Sequence, residues 1–122
     1  MKLEIKRNKL CKEYYFEEGC YISEISNDNG DEDVSIAQVR VEPGMSTEWH
    51  RLTGVSERYL IISGQGRVEV EDIEPADLSK GDVVRIPGGK VQRITNTGET
   101  DLIFYAICSP RFVKACYKSE SN

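Results

Sequence analysis

Histidine occurs once in this chain, at position 50. A serine–histidine–aspartate triad would have to consume that one ring, and no serine stands out as its partner. A G-x-S-x-G elbow, a Walker loop and a dinucleotide fingerprint in a strand–helix setting are all missing, and the "GQG" at 64–66 reads as a hairpin. Apolar runs are short. The longest, "LIFYAIC" at 102–108, suits a buried strand and falls well below the ~20 residues that a membrane helix needs. No basic run exceeds two residues and the net charge is -5, so no phosphate-tracking surface is expected, and neither nucleic acid nor membrane is an expected partner. The acidity reads as solubility, and it is compatible with a cationic partner. Cysteine occurs at Cys11, Cys20, Cys108 and Cys116, never as C-x-x-C, which excludes a zinc ribbon or a thioredoxin-type motif. The opening "MKLEIKRNKL" alternates in charge and carries no apolar core of a secretory signal. The expectation is therefore a cytoplasmic protein with reduced thiols, Cys108 being a small core residue at the end of an apolar strand.

What is present is a succession of short β-branched and aromatic segments cut by glycine, proline, asparagine and aspartate. The 122 residues suffice for one core and are too few for two. Strands are predicted over 19–26, 34–41, 57–63, 66–72, 81–87, 91–96 and 101–108. "NDNGDED" at 27–33 is a turn. A calcium loop is excluded there, because setting Gly30 at the sixth position places Ile25 first and Ile36 last, where carboxylates are required. No stretch of useful length has helical period. The spacing predicts an all-β sandwich or barrel. Residues 1–18 read as an N-terminal arm that contributes an edge strand, 19–112 as the barrel domain, and 113–122 as a polar tail that frays, ending in "YKSESN". Glycines at 64, 81, 89 and 98 are expected at positive φ where strands reverse.

Two segments stand out together. The first runs Gly44, five residues, His50, one residue, Leu52, four residues, Glu57, six residues, Gly64. The second runs Gly81, five residues, Pro87, one residue, Gly89, two residues, Gln92, three residues, Asn96. The pair resembles the two motifs of the cupin family, G-x5-H-x-H-x3-4-E-x6-G and G-x5-P-x-G-x2-H-x3-N. The resemblance implies a double-stranded β-helix, or jelly-roll, barrel. It also implies metal ligands at His50, Leu52, Glu57 and Gln92. His50 and Glu57 match, Leu52 cannot ligate, and Gln92 offers only an amide oxygen. The side-chain period of two puts His50 with Leu52, Glu57 with Tyr59 and Ile61, and Gln92 with Ile94 and Asn96. If those faces point inward, His50, Glu57 and Gln92 converge.

The leading expectation is a reduced divalent-metal site of His50, Glu57 and Gln92, with Glu48 as a second carboxylate two residues before His50. Zn²⁺, Mn²⁺, Fe²⁺ or Ni²⁺ would suit such a set. It would serve to bind or transform a small polar organic molecule in an isomerase, lyase or oxygenase-like step, with the ion polarising a substrate oxygen. His50, Glu57 and Tyr59 are the candidate catalytic residues. A second expectation is a metal-free binding or sensor module. A third is metal-free catalysis with His50 as base and Glu48 or Glu57 as its orienter. The plainer roles stand beside these: His50 as a satisfied polar residue, Glu57 paired with Arg58 or Arg93, and Gln92 as a hydrogen-bonding barrel residue. Arg40, Arg85 and Arg93 are expected in surface ion pairs, with clamping of a ligand carboxylate or phosphate as the alternative, and Trp49 as an interface or outer-sheet anchor. A homodimer is expected, both because uncovered strands invite pairing and because the resemblance implies it.

Overall fold

The computed structural model describes residues 2–7, 12–16 and 19–120. Cys11 and parts of the N-terminal arm and of the C-terminal tail lie outside the described residues. Eleven strands occur among those described: β1 Glu13–Phe16, β2 Cys20–Ser26, β3 Ser35–Val41, β4 His50–Leu52, β5 Ser56–Ser63, β6 Gln65–Val70, β7 Ala76–Ser79, β8 Val83–Ile86, β9 Gln92–Asn96, β10 Leu102–Ser109 and β11 Tyr117–Ser119. A 3₁₀ turn, Lys114–Cys116, precedes β11. No helix among the described residues is long and apolar enough to cross a membrane.

The strands form two antiparallel sheets, ordered β1-β2-β3-β10-β5-β8 and β11-β4-β9-β6-β7. β1 is thus an edge strand. The core lies between the sheets. Val39, Tyr59, Ile61, Ile86 and Phe104 from the six-stranded sheet meet Val68 and Ile94 from the other. Alternation decides which residues enter it. Along β10, Leu102, Phe104, Ala106 and Cys108 are buried while Ile103, Tyr105 and Ile107 are half-buried on the other face. Both sets are apolar, so β10 and its neighbour β5, with Leu60 and Ile62, give the six-stranded sheet an apolar strip on its outer face, flanked by Arg40, Gln38 and Arg58.

The expected turns mostly hold. Gly64 lies at φ 87° between β5 and β6, and a Cβ there would sit 2.6 Å from the Asp101 carbonyl oxygen. Gly81 and Gly89 also have positive φ, but Gly98 does not; its N–H is bound by the Asn96 side chain at 2.9 Å. The second motif's asparagine is a lock. Asn96 donates to the carbonyls of Val41 and Thr100, both at 2.8 Å, while its own oxygen takes the Gly98 N–H. It ties two strand ends and a turn together from a fully buried position.

Two departures from the expected elements matter. The segment at 76–79 is a strand, paired antiparallel with β6, although its "ADLS" carries no strand signal. The tail does not fray over 117–119: β11 pairs with β4, setting Tyr117 against Leu52 and Ser119 against His50. The apolar side of the tail explains it. Cys116 is buried with Leu52, Val55 and Cys108, and Phe112 and Tyr117 pack on that cluster.

Candidate functional site

The site lies where three strands bring one polar residue each to the inner face. His50 and Gln92 are cross-strand partners in the β4–β9 ladder. Glu57 comes from β5, in the facing sheet, beside Cys108 of β10. All three polar residues are buried, Gln92 almost completely. A buried polar group needs a partner, and Gln92 and Glu57 find each other. Gln92 donates from Nε2 to Glu57 Oε1 at 2.9 Å, and its Oε1 accepts the Tyr59 hydroxyl at 2.9 Å. The Cys108 thiol donates to Glu57 Oε2 at 3.8 Å. The amide at 92 therefore bridges the carboxyl at 57 and the phenol at 59.

Among the described residues, Glu57 has none of the cations that a surface carboxylate would take. Arg58 and Arg93 do not reach it; Arg93 pairs with Glu69 at 2.8 Å and lies over the Trp49 ring at 4.4 Å. Burial pushes the Glu57 carboxyl up to about 7, against weaker opposing pulls from its bonds to Gln92, Tyr59 and Cys108. Burial also pushes the Cys108 thiol well above its ordinary range, with the neighbouring Glu57 charge adding to the rise. Such a thiol is a packing group and a weak donor, not a nucleophile.

His50 is held differently. Its Nδ1 lies 2.7 Å from the Glu48 carbonyl oxygen, so Nδ1 carries the proton in that bond. Tyr117 stacks on the ring, centroids 5.1 Å apart and planes 18° from parallel. Burial lowers the His50 pKa, partly offset by the Glu48 carbonyl and the Glu48 charge. The ring is therefore held neutral, clamped by the segment just before its strand and by Tyr117 of β11. Glu48 turns its carboxyl to the Tyr117 hydroxyl, 2.6 Å away.

A hollow of about 60 Å³ opens beside Glu57 between the sheets. Tyr59, Thr47, Ser35 and Asn27 line it with Glu57, among apolar neighbours such as Phe16, Phe104 and Phe112. His50 and Gln92 are not among its lining residues. The expected group thus comes together only in part. Gln92 joins Glu57 and Tyr59, while His50 sits beside Gln92 behind the wall of the hollow. Leu52 is core, and Tyr105 faces outward.

A divalent ion does not fit this donor set. It would need His50, Glu57, Gln92 and Glu48 to aim free donors at one point. Gln92 instead gives its N–H to Glu57 and takes the Tyr59 proton on its oxygen, and the Glu48 carboxyl is turned to Tyr117. Among the described residues, no group of three histidine, cysteine, aspartate or glutamate side chains is placed to hold a metal.

Of the other candidates, Arg40 pairs with Glu13 at 2.7 Å and with Asp101 at 3.4 Å, as a surface residue should. Arg85 is exposed opposite Arg58 in the β5–β8 register. Tyr117, Asn27 and Phe112 were missed by sequence reasoning. Each reaches the site from a loop or tail far along the chain, and only the aromatic character of Phe112 and Tyr117 within a polar terminus signalled anything.

Known proteins agree with this architecture. The sequence is 35% identical over 71 residues to an oxalate-binding protein from Thermotoga maritima, a match that spans 58% of this chain and 58% of that one. The chain thus spans less than two thirds of that relative's length. Among solved structures, Streptomyces Pac13, described as a nucleoside dehydratase, superposes with a TM-score of 0.80 at 14% identity, covering 97% of this chain and 91% of its own. KdgF from Halomonas sp. superposes with a TM-score of 0.77 at 20% identity, covering 89% of this chain and 96% of its own. A protein from Klebsiella pneumoniae with a double-stranded β-helix domain gives 0.74 at 17% identity, covering 89% of this chain and 90% of its own. The family described as "Cupin domain" matches residues 37–108, which hold both motifs and most of the strands of the two sheets. This chain belongs to the cupin family.

Proposed function

We propose that this protein is a metal-free cupin that binds a small polar organic molecule in the hollow between its sheets, with Glu57 as the proton-donating group at its inner end. One observation carries the reading: Glu57 is buried with no cation beside it among the described residues, is oriented by the Gln92–Tyr59 pair, and lines the hollow. A carboxyl in that setting holds its proton up to about pH 7 and in that form can offer it to a ligand oxygen, a role that an ionised surface carboxylate cannot fill. Tyr59 positions Gln92, and Gln92 positions Glu57. His50 keeps the neighbouring strand in place and supplies no ligand to an ion.

Similar proteins support the ligand class. One relative is an oxalate-binding protein and one structural neighbour a nucleoside dehydratase seen with uridine, so small polar molecules are what such hollows take. The chemistry itself does not transfer with the fold. A second copy is the proposed partner for the outer face of the six-stranded sheet, where Leu60, Ile62, Ile103, Tyr105 and Ile107 gather. A monomeric mass by light scattering at micromolar concentration would remove that partner.

Calorimetric titration of the purified, chelator-treated protein with Zn²⁺, Mn²⁺, Fe²⁺ and Ni²⁺ tests the metal-free reading. The expected result is no stoichiometric binding by the wild type. Stoichiometric binding that disappears in both His50→Ala and Glu57→Ala would overturn it.

A further inference from the structure

The hollow has a second polar feature, at the end nearer its mouth. Asn27 closes β2 and its turn, and it lines both the hollow and the wider mouth outside it. Its Nδ2 donates to the Phe112 carbonyl at 2.9 Å. Its Oδ1 is buried and meets no donor among the described residues. Turning the amide over would set two oxygens against each other at that distance, so the Phe112 bond fixes which atom is the orphan. A buried acceptor left unpaired is destabilising, and a ligand that donates to it recovers that loss.

Charge limits the ligand from the other side. Among the described residues lining the hollow are two carboxyls, Glu24 and Glu57, and no lysine, arginine or histidine. Arg111 and Lys114 line only the mouth, and Arg111 already donates to the Asp28 carbonyl at 3.0 Å. An anion in the hollow would lose its water and meet acids in place of a counter-charge, a large desolvation penalty left uncompensated. A neutral group that accepts at one end and donates at the other meets no such penalty.

Resting on the binding role assigned to the hollow, we infer that the ligand enters with a neutral amide- or hydroxyl-bearing head, which donates a hydrogen bond to Asn27 Oδ1 and accepts one from Glu57. Small dicarboxylates are excluded from the hollow, in contrast to the oxalate-binding relative. Any anionic group the ligand carries stays at the mouth, beside Arg111 and Lys114.

Oxalate and its neutral diamide, oxamide, have the same heavy-atom skeleton and separate the two cases. Both are titrated into uniformly ¹⁵N-labelled protein, with the Asn27 side-chain amide and the Glu57, Tyr59 and Cys108 backbone signals followed by NMR. Oxamide is expected to shift all four. Oxalate is expected to bind at least tenfold more weakly and to move only Arg111 and Lys114. Asn27→Leu, nearly the same size without the acceptor, should weaken oxamide about tenfold, the fold-change of one buried hydrogen bond. Equal or tighter binding of oxalate in the hollow overturns the inference. Shifts at Glu57, Tyr59 and Cys108 with Asn27 unmoved, or undiminished binding in Asn27→Leu, also overturn it while leaving the hollow as the binding site. Failure of oxamide to move any of these signals overturns it together with the binding role of the hollow.

Discussion

The two cupin motifs divide into a framing region and a chemical region, and the two have fared differently. At the frame, Gly44, Gly64, Gly81, Gly89 and Asn96 all stand where the motifs want them, the glycines at positive φ and the asparagine bonded on every side. At the chemical positions, two of the four family ligands are gone. Leu52 has joined an apolar cluster, and Gln92 has become a bridge between Glu57 and Tyr59. The difference follows from what each residue must do. A framing residue satisfies backbone geometry and buried carbonyls that any sequence of this fold shares. A ligand position satisfies only its own partners, and a set of hydrogen bonds can replace an ion there.

The comparison can be broken at the frame first. Asn96→Ala leaves the Val41 and Thr100 carbonyls without their donor, and should destabilise the protein by about 4 kcal/mol in chemical denaturation. Binding of oxamide, measured below the unfolding transition, should be unchanged. A loss under 1 kcal/mol would place the asparagine with the replaceable residues.

The chemical region should respond in the opposite sense. Glu57 is raised from 4.5 in an open chain to about 7 in the folded protein. The native state therefore holds a proton that the unfolded chain releases between those values. Stability is highest below the unfolded pKa and is lost as pH rises through the folded one. The loss amounts to about 3 kcal/mol for a fully buried group. Glu57→Gln cannot ionise, so it should gain about that much over the wild type at pH 8 and match it at pH 4. His50 pulls the other way, losing stability as pH falls, but it is common to both proteins and cancels in their difference. Denaturation midpoints at a series of pH values check this, and parallel curves for the two proteins would contradict it.

The smallest effect sharpens the boundary between the regions. Tyr117→Phe keeps the ring on His50 but removes the hydroxyl that bonds Glu48. About 1 kcal/mol of stability should be lost, with no change in oxamide affinity. A changed affinity would move the His50 side of the wall into the binding site.

Much of this was open to a reader of the sequence. The strands announced themselves by alternation, as in Glu57, Tyr59 and Ile61 against Arg58, Leu60 and Ile62, and the motif spacings identified the turns. The strand at 76–79 was not legible, because an exposed edge segment such as "ADLS" buries too little to leave a pattern. Gly98 was misjudged because its turn is made by the Asn96 side chain and needs no positive φ. The metal expectation followed from His50 and Glu57 being right for it. What spacing does not encode is direction: Gln92 is bonded to Glu57 and Tyr59, and the Glu48 carboxyl to Tyr117.

By itself the sequence determined which residues face inward and where the chain turns, since side-chain period and backbone stereochemistry act between near neighbours. It thereby set the family and brought an imidazole, a carboxyl and an amide to the interior. Only the tertiary structure decided their use. Tyr117 reached His50 across 67 residues, Gln92 reached Glu57 across 35, and Asn27 reached Phe112 across 85. The first depends on the tail pairing with β4, the last on loops meeting at one end of the six-stranded sheet, and the Gln92–Glu57 bond on how the two sheets close on one another; that closure turned a ligand position into a hydrogen-bonded wall.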